Sequence, residues 1–254
     1  MTGIGTARLD ALVLLEDVTG LDRAQILAEP EREISGADAA KLKKLLEKRA
    51  AHVPLAYVRG KTEFYGREFV ITPAVLEPRP ESETMIDLLK KLPNMPSTSR
   101  IADVGSGSGA LGITAKLELP EASVELLEVD PDAIQVAQMN VDKFTANITL
   151  RVADLLTGLT REYGVLLCNL PYVPDDYTIN RAAMHEPRLA IFGGPDGLNV
   201  YRRLFKQTQA LSKQPLYILT EALPPQHARL SAIAEQSGYE LSATEDFIQV
   251  FKLA

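Results

Sequence analysis

A short stretch after an apolar run, Asn169-Leu170-Pro171-Tyr172, combines an amide, a rigid proline and an aromatic ring. The run itself, 164–168, predicts a buried strand of a parallel sheet, and open α/β sheets bind ligands where such strands end. The Asn169 side-chain oxygen can accept one N–H of a planar NH2 group, and the Leu170 carbonyl, held by Pro171, can accept the other. Tyr172 can stack on the flat face. This tetrapeptide therefore suits alkylation of a weakly nucleophilic NH2 group, although the same pattern also occurs in ordinary turns.

A second stretch suited to chemistry joins a predicted strand to a predicted helix. It reads Asp103-Val104-Gly105-Ser106-Gly107-Ser108-Gly109. Glycines let the backbone turn tightly and let a ligand approach closely. The G-x-G-x-G spacing differs from the dinucleotide fingerprint and from a phosphate-binding P-loop. A glycine loop preceded by an acid fits a cofactor with a cationic amino acid end, so we expect Asp103 to face the amino and sulfonium groups of S-adenosylmethionine.

Acidic residues follow the next two predicted strands. Asp130 precedes Pro131, the pattern of a helix N-cap followed by proline at the first helical position, which leaves Glu128 to bind the hydroxyls of a ribose. Nicotinamide-binding folds also place an acid here, so Glu128 alone does not separate the two cofactors. Asp154, with Leu155 beside it, is the candidate for contact with the adenine amino group. A helix N-cap is the alternative role for Asp154.

The elements that position these residues fall into two parts. Residues 7–51 have helical periodicity. Residues 56–60 and 63–71 are short, aromatic and β-branched segments broken by glycine, which predicts a hairpin. Prolines then stiffen a connector, and a helix is expected over 81–92.

From residue 100 onward predicted strands alternate with predicted helices, which indicates a doubly wound α/β sheet. The predicted strands lie near 100–104, 123–128, 148–152, 163–168, 215–221 and 246–252. The predicted helices lie near 108–118, 132–143, 197–212 and 225–237.

Composition limits the possible functions. The 254 residues suffice for one large domain, or for one medium and one small domain. No apolar run approaches the ~18 residues that a membrane-spanning helix needs, and no basic-then-apolar signal pattern opens the chain, so we expect no membrane segment and no export. The single cysteine, Cys168, fits a reducing compartment. A net charge of −7 argues against generic binding to phosphate backbones. No Cys, His or carboxylate spacing indicates a metal site.

The glycine loop, Glu128 and the tetrapeptide, in this order, resemble class I S-adenosylmethionine methyltransferases. Further segments resemble one family of them, the peptide chain release factor N5-glutamine methyltransferases, often called HemK or PrmC. These segments are Pro54-Leu55-Ala56-Tyr57 with Glu63-Phe64-Tyr65-Gly66, Val75-Leu76-Glu77-Pro78-Arg79-Pro80-Glu81-Ser82-Glu83, and Glu186-Pro187-Arg188-Leu189-Ala190 with Gly193-Gly194-Pro195-Asp196-Gly197-Leu198 and Tyr201-Arg202-Arg203-Leu204. The resemblance runs from about residue 7 to about residue 240.

The resemblance implies a Rossmann-like class I methyltransferase sheet with a small N-terminal helical domain, joined by a β-hairpin. We expect a substrate-recognition domain with its connector over 1–80 and the methyltransferase domain over 81–254. The implied substrate is the glutamine of the Gly-Gly-Gln motif in a class I peptide chain release factor, methylated at its side-chain amide nitrogen. We expect a cytoplasmic monomer that uses S-adenosylmethionine and no metal.

The residue chemistry and the family resemblance together give the predicted site residues. The predicted cofactor-binding residues are Asp103, Gly105, Ser106, Gly107, Ser108, Gly109, Glu128, Asp154, Leu155 and Asn169. The residues predicted to hold the glutamine are Asn169, Leu170, Pro171 and Tyr172.

The chain departs from the family pattern at four places. Leu170 stands where the family usually has proline, and Glu77 where it tends to be apolar. Ala222-Leu223 replaces a pair that usually ends in glycine, and the segment 244–254 lacks the usual Gly-Arg-x-Arg ending. These departures bear on substrate docking more than on methyl transfer.

Two alternatives stay open. An adenine-N6 methyltransferase acting on RNA or DNA would also hold a planar NH2 group, and such enzymes tolerate leucine at the second position of the tetrapeptide. The acidic balance and the absence of an evident basic, aromatic-rich extension argue against it. The other alternative is a non-catalytic module that binds S-adenosylmethionine or a ribosomal partner.

Overall fold

The computed structural model describes residues 4–254, beginning with a helical segment and a two-stranded hairpin. The segment contains α1 (Ala7–Thr19), α2 (Arg23–Ala28), α3 (Gly36–Ala50) and α4 (Leu55–Arg59), and the hairpin contains β1 (Lys61–Phe64) and β2 (Arg67–Val70). Ion pairs join the helices: Arg49 Nε lies 2.8 Å from the buried Asp10, and Arg59 Nε lies 2.6 Å from Asp17. The helices expected over 7–51 are confirmed.

The expectation that residues 56–60 belong to the hairpin is wrong. They lie in α4, which ends at Gly60 with φ of 74°. Tyr57 and Val58 are residue types that favour strands, but Ala56 and Val58 are buried by tertiary packing, which overrides this weak propensity. The hairpin starts only at β1, and its two-residue turn, Tyr65-Gly66, has positive φ at both positions, which suits the twist of paired antiparallel strands.

A short 3₁₀ helix (Pro80–Ser82) and α5 (Glu83–Lys90) lead into the main sheet. Its strands are β3 (Arg100–Val104), β4 (Ser123–Glu128), β5 (Ile148–Val152), β6 (Val165–Cys168), β7 (Tyr217–Glu221), β8 (Tyr239–Glu245) and β9 (Ile248–Leu253). Its helices are α6 (Ala110–Glu118), α7 (Pro131–Phe144), α8 (Arg188–Ile191), α9 (Asn199–Thr208) and α10 (His227–Glu235). The predicted doubly wound α/β sheet is therefore confirmed.

The strand order in the seven-stranded sheet is β5-β4-β3-β6-β7-β9-β8. All neighbours are parallel except for β9, which is antiparallel to both β7 and β8. The chain moves outward from β3 through β4 to β5 and then returns to place β6 beside β3. This reversal separates the loops after β3 and β6, which opens a crevice at their carboxyl ends.

Apolar side chains cover both faces of the sheet. Ile101, Leu126 and Leu167 face the layer that contains α5, α6 and α7. Ala102 and Leu166 face the other layer, which contains α9 and α10. Every residue of β6 is buried, as expected for a central parallel strand.

β8 was not predicted from the sequence. Most of its residues are exposed, and its pairing with β9 shifts register between Leu241 and Ala243. An exposed edge strand with an irregular register lacks both the apolar run and the strict alternation that predict a strand. β9, formed by the segment that departs from the family ending, lies between β7 and β8.

Candidate active site

A cleft of about 190 Å³ opens where β3 and β6 end. Eleven of the predicted site residues line it: Asp103, Gly105, Ser106, Gly107, Ser108, Glu128, Asp154, Leu155, Asn169, Leu170 and Pro171. Gly109, the N-cap of α6, and Tyr172, which bonds Glu221, are not part of the lining. The reversal of strand order thus brings the glycine loop and the tetrapeptide together.

The glycines of the loop are required by backbone conformation and close packing. Gly105, Gly107 and Gly109 have φ of 72°, 53° and 79°, which disfavours side chains. A Cβ on Gly105 would lie 2.9 Å from Leu170 Cδ2. Leu170 therefore packs directly on the glycine loop, at the position where a family pattern would place proline.

Asp103 and Ser106 supply polar groups at the floor of the cleft. Asp103 is 1% exposed, and its Oδ2 accepts a hydrogen bond from Gly112 N at 2.8 Å. Burial raises the pKa of Asp103 to about 7, against the opposing effect of this hydrogen bond. The buried Ser106 Oγ has no hydrogen-bond partner within residues 4–254. A carboxyl group beside an unpaired hydroxyl fits the ammonium and carboxylate of an amino acid tail such as that of S-adenosylmethionine.

Glu128, at the end of β4, forms a hydrogen bond with the glycine loop. Its Oε2 accepts from Gly107 N at 2.8 Å, and its Oε1 accepts from the backbone N–H groups of Val129 and Asp130 at 2.8 and 3.1 Å. Oε1 already accepts two hydrogen bonds, whereas Oε2 accepts one and keeps a further lone pair, so a ribose hydroxyl can donate to Oε2. Asp130 caps α7, with Oδ1 accepting from Asp132 N at 2.9 Å, so its predicted structural role is confirmed.

Asp154 and Leu155 follow β5 on another wall of the cleft. The Asp154 carboxylate pairs with Arg203 of α9. No helix begins directly after Asp154, so the N-cap alternative is wrong. Leu155 is buried with φ of 53°. Contact of these two residues with adenine stays a prediction.

The Asn169 side chain has a defined orientation. Its Nδ2 donates to Ser82 Oγ at 2.9 Å and to Glu221 Oε2 at 3.0 Å. Its Oδ1 accepts no hydrogen bond from any residue in the described part of the chain. An amide oxygen is thus left as an acceptor at the wall of the cleft.

Tyr172 is tethered through its hydroxyl rather than left free. Its Oη donates to Glu221 Oε1 at 3.0 Å. Burial and the neighbouring Glu221 carboxylate raise the pKa of Tyr172. Burial also raises the pKa of Glu221, although the hydrogen bonds from Ser82 and Tyr172 act in the opposite direction. Stacking of Tyr172 on a substrate stays a prediction.

The residues that hold the tetrapeptide were not predicted as site residues from the sequence. Glu221 ends β7, and Ser82 lies in the 3₁₀ helix before α5. Gln226 Nε2 donates to Tyr172 O at 2.8 Å. An acid at the carboxyl end of the predicted strand 215–221 was the one signal that could have identified Glu221.

A glycine turn supports the tetrapeptide backbone from the other side. A Cβ on Gly193 would lie 2.4 Å from Pro171 O, and one on Gly197 would lie 2.0 Å from Tyr172 O. These glycines allow the turn to contact the backbone of the tetrapeptide directly.

The proline-containing connector closes the remaining side of the cleft. Arg79 Nη2 lies 2.6 Å from Glu186 Oε2, which joins the connector to the segment after the tetrapeptide. Glu77, which differs from the family pattern, accepts a hydrogen bond from Thr62 Oγ1 at 3.2 Å, and its carboxylate lies 3.8 Å from Arg79 Nη1. Its charge is therefore accommodated by polar neighbours.

Within residues 4–254, no helix is both long enough and apolar enough to cross a membrane.

Comparisons with known proteins agree along most of the chain. Residues 1–60 match the PrmC N-terminal domain family, and residues 82–186 match the methyltransferase small domain family. A release factor glutamine methyltransferase of Deinococcus radiodurans is 31% identical over 246 residues, covering 96% of this chain and 88% of that protein. Another, from Koribacter versatilis, is 35% identical, covering 79% and 73%. A third, from Bacillus subtilis, is 33% identical, covering 83% and 76%.

Solved structures share the fold at low sequence identity. The catalytic domain of hMettl16, in complex with an RNA hairpin, has a TM-score of 0.59 at 15% identity, covering 87% of this chain and 83% of that chain. A methyltransferase from Pyrococcus furiosus has a TM-score of 0.56 at 15% identity, covering 87% and 100%. These likenesses establish a methyltransferase fold, and the relatives identify the group within it. The chain belongs to the release factor glutamine methyltransferase family.

Proposed function

We propose that this enzyme transfers a methyl group from S-adenosylmethionine to the side-chain amide nitrogen, N5, of the glutamine in the Gly-Gly-Gln motif of a class I peptide chain release factor. The observation that carries this function is the oriented Asn169 amide, whose oxygen is a free acceptor within the described chain, beside the glycine loop. A glutamine side chain ends in the planar NH2 group that such an acceptor can bind.

The chain's contribution to the reaction is positioning. An amide nitrogen is a weak nucleophile because its lone pair is delocalised into the carbonyl. Asn169 Oδ1 accepts one N–H of the substrate, and the Leu170 carbonyl, held by Pro171, accepts the other. Two fixed acceptors aim the lone pair and favour the positive charge that develops on nitrogen. S-adenosylmethionine, when bound, would supply the sulfonium methyl group. Its S–C bond would break as the new N–C bond forms, it would leave as a neutral thioether, and the methylated nitrogen would lose one N–H proton to solvent.

The cofactor assignments follow the polar groups of the cleft. Asp103 and Ser106 hold the amino acid tail, and Glu128 binds the ribose. The glycine loop gives the cofactor close access to the backbone. Asp154 and Leu155 contact the adenine. The support for these roles is that all five side chains line the same cleft.

The remaining assignments concern the whole molecule. Residues 1–80 form a substrate-recognition domain with its connector, and residues 81–254 form the catalytic domain. The enzyme acts as a monomer in the cytoplasm, where a single cysteine fits the reducing conditions.

A methyl-transfer assay tests this function against the alternatives. The purified chain is incubated with radiolabelled S-adenosylmethionine and a class I release factor, with the Gln→Ala variant of the Gly-Gly-Gln motif as the matched control substrate. We expect label in the release factor with the unchanged motif and none in the Gln→Ala variant. Label in RNA or DNA instead, with salt-dependent binding, would favour the adenine-N6 alternative. Cofactor binding without transfer to any substrate would indicate the non-catalytic module.

A further inference from the structure

Glu221 is a buried acid surrounded by hydrogen-bond donors next to the proposed substrate site. It is 1% exposed. Its Oε2 accepts from Ser82 Oγ at 2.5 Å and from Asn169 Nδ2 at 3.0 Å, and its Oε1 accepts from Tyr172 Oη at 3.0 Å. No cation among residues 4–254 forms an ion pair with it. A buried carboxylate without a counterion is costly, and here three hydrogen bonds offset part of that cost.

The hydrogen bonds around Glu221 have a consistent direction. The two ends of an amide have nearly the same shape, so packing alone does not decide which end of Asn169 faces the cleft. A carboxylate only accepts, and Ser82 already donates its hydroxyl proton to that carboxylate. Both protons of Asn169 Nδ2 are therefore directed towards Glu221 and Ser82, which turns Oδ1 towards the cleft.

The backbone beneath Glu221 is held as firmly as its side chain. The buried Tyr201 Oη lies 2.6 Å from Glu221 O and 2.9 Å from Cys168 O. One hydroxyl thus bridges the ends of β7 and β6. This bridge sets the distance between the Glu221 carboxylate and Asn169, which directly follows β6.

We propose that Glu221 is a positioning residue that makes Asn169 present its oxygen, and not its NH2 group, to the substrate. The proposal rests on the proposed function and deepens it. A site with two acceptors selects substrates that offer an unsubstituted planar NH2 group. The same two acceptors disfavour a substrate carboxylate, so a substrate with glutamate in place of the glutamine is rejected by repulsion between oxygens. Glu221 lies outside the lining of the cleft, so it acts through Asn169 and not by contact with the cofactor.

The variant Glu221→Gln tests the orientation because it preserves shape and replaces one acceptor oxygen with a donor. An amide at position 221 keeps only one acceptor oxygen, so it cannot accept from Ser82, Asn169 and Tyr172 together, and the preference for Asn169 Oδ1 facing the cleft is weakened. We expect kcat to fall roughly 10²-fold, by analogy with the loss of one preorganised hydrogen-bond partner. Cofactor affinity, measured by calorimetry, should change much less than kcat, because Glu221 lies outside the cleft and the residues assigned to the cofactor's tail, ribose and adenine are unaltered.

A charge-swapped double variant separates positioning from a general structural role. In Glu221→Gln with Asn169→Asp, one oxygen of the carboxylate at position 169 accepts from Ser82 and from the NH2 group introduced at position 221. Its second oxygen faces the cleft. We expect this pair to regain about tenfold or more of the activity lost by Glu221→Gln, whereas Asn169→Asp alone stays impaired. Absence of any recovery, or wild-type turnover in Glu221→Gln, would overturn the proposal.

A measurement on the unmodified chain covers the case in which these variants fail to fold. In protein labelled with ¹⁵N-asparagine, the two side-chain protons of Asn169 should exchange with solvent much more slowly than those of the exposed Asn94. Exchange as fast as that of Asn94 would refute the orientation. This readout does not depend on catalysis, so it distinguishes failure of the proposal from failure of the proposed function, which absence of wild-type methyl transfer would reveal.

Discussion

Asn140 pairs with both backbone groups of Val70: its Oδ1 accepts from Val70 N at 2.7 Å, and its Nδ2 donates to Val70 O at 3.0 Å. The same Nδ2 donates to Ser108 O at 2.9 Å. Asn140 is fully buried on α7. One side chain therefore links the hairpin, a sheet-flanking helix and the glycine loop, so the proposed cofactor site depends on the position of the hairpin.

Replacement of Asn140 by alanine should lower the free energy of unfolding by about 2 kcal/mol, because backbone groups of Val70 and Ser108 lose their partners. Urea denaturation measures this change. Gln138→Ala is the matched control, since Gln138 is exposed on the same helix and bonds only Asp142. Equal stability of the two variants would contradict the linking role of Asn140.

Replacement of Asn169 by alanine should lower turnover roughly 10²-fold or more, because one of the two fixed acceptors is lost. Steady-state methylation of the release factor glutamine measures this effect. The cofactor dissociation constant is determined in parallel, so that loss of binding is not mistaken for loss of chemistry. Near-normal turnover with glutamine still methylated would remove Asn169 from the mechanism.

Asp103 should make stability depend on pH. Its pKa rises from an ordinary value of 3.8 to about 7 in the folded chain, so the folded state binds the proton more tightly. The stabilising contribution is complete below pH 3.8 and is lost as the pH rises to about 7. The stability of the wild type relative to Asp103→Asn should therefore fall over this range, as measured by urea denaturation. A pH-independent difference would contradict burial as the dominant effect on Asp103.

Replacement of Gly193 by alanine should displace the tetrapeptide. The added Cβ would lie 2.2 Å from Gly197 O and 2.4 Å from Pro171 O, so one of the two backbones must move. Because small displacements of positioning groups are costly, turnover should fall by roughly 10²-fold. Gly36→Ala is the control, since a Cβ there meets no atom within 4 Å. Unchanged kinetics in both variants would show that the turn does not support the site.

Local patterns in the sequence were enough to predict several parts of the molecule. The Asp130-Pro131 cap, the glycine loop and the buried strand before Asn169 all depend on neighbouring residues, whose chemistry acts over one turn or one strand. The spacing of strands and helices predicted the doubly wound sheet for the same reason, since each element is encoded by its own periodicity.

Only the tertiary structure decided how Asn169 is oriented. Its partners Glu221 and Ser82 lie 52 and 87 positions away in the chain, and no local pattern connects them. Tertiary packing also decided that residues 56–60 form a helix, because contacts such as the Arg59–Asp17 ion pair with α1 override the weak strand propensity of aromatic and β-branched residues. Propensity and periodicity act along the chain, whereas the choice of hydrogen-bond partners depends on which strand ends the fold places side by side.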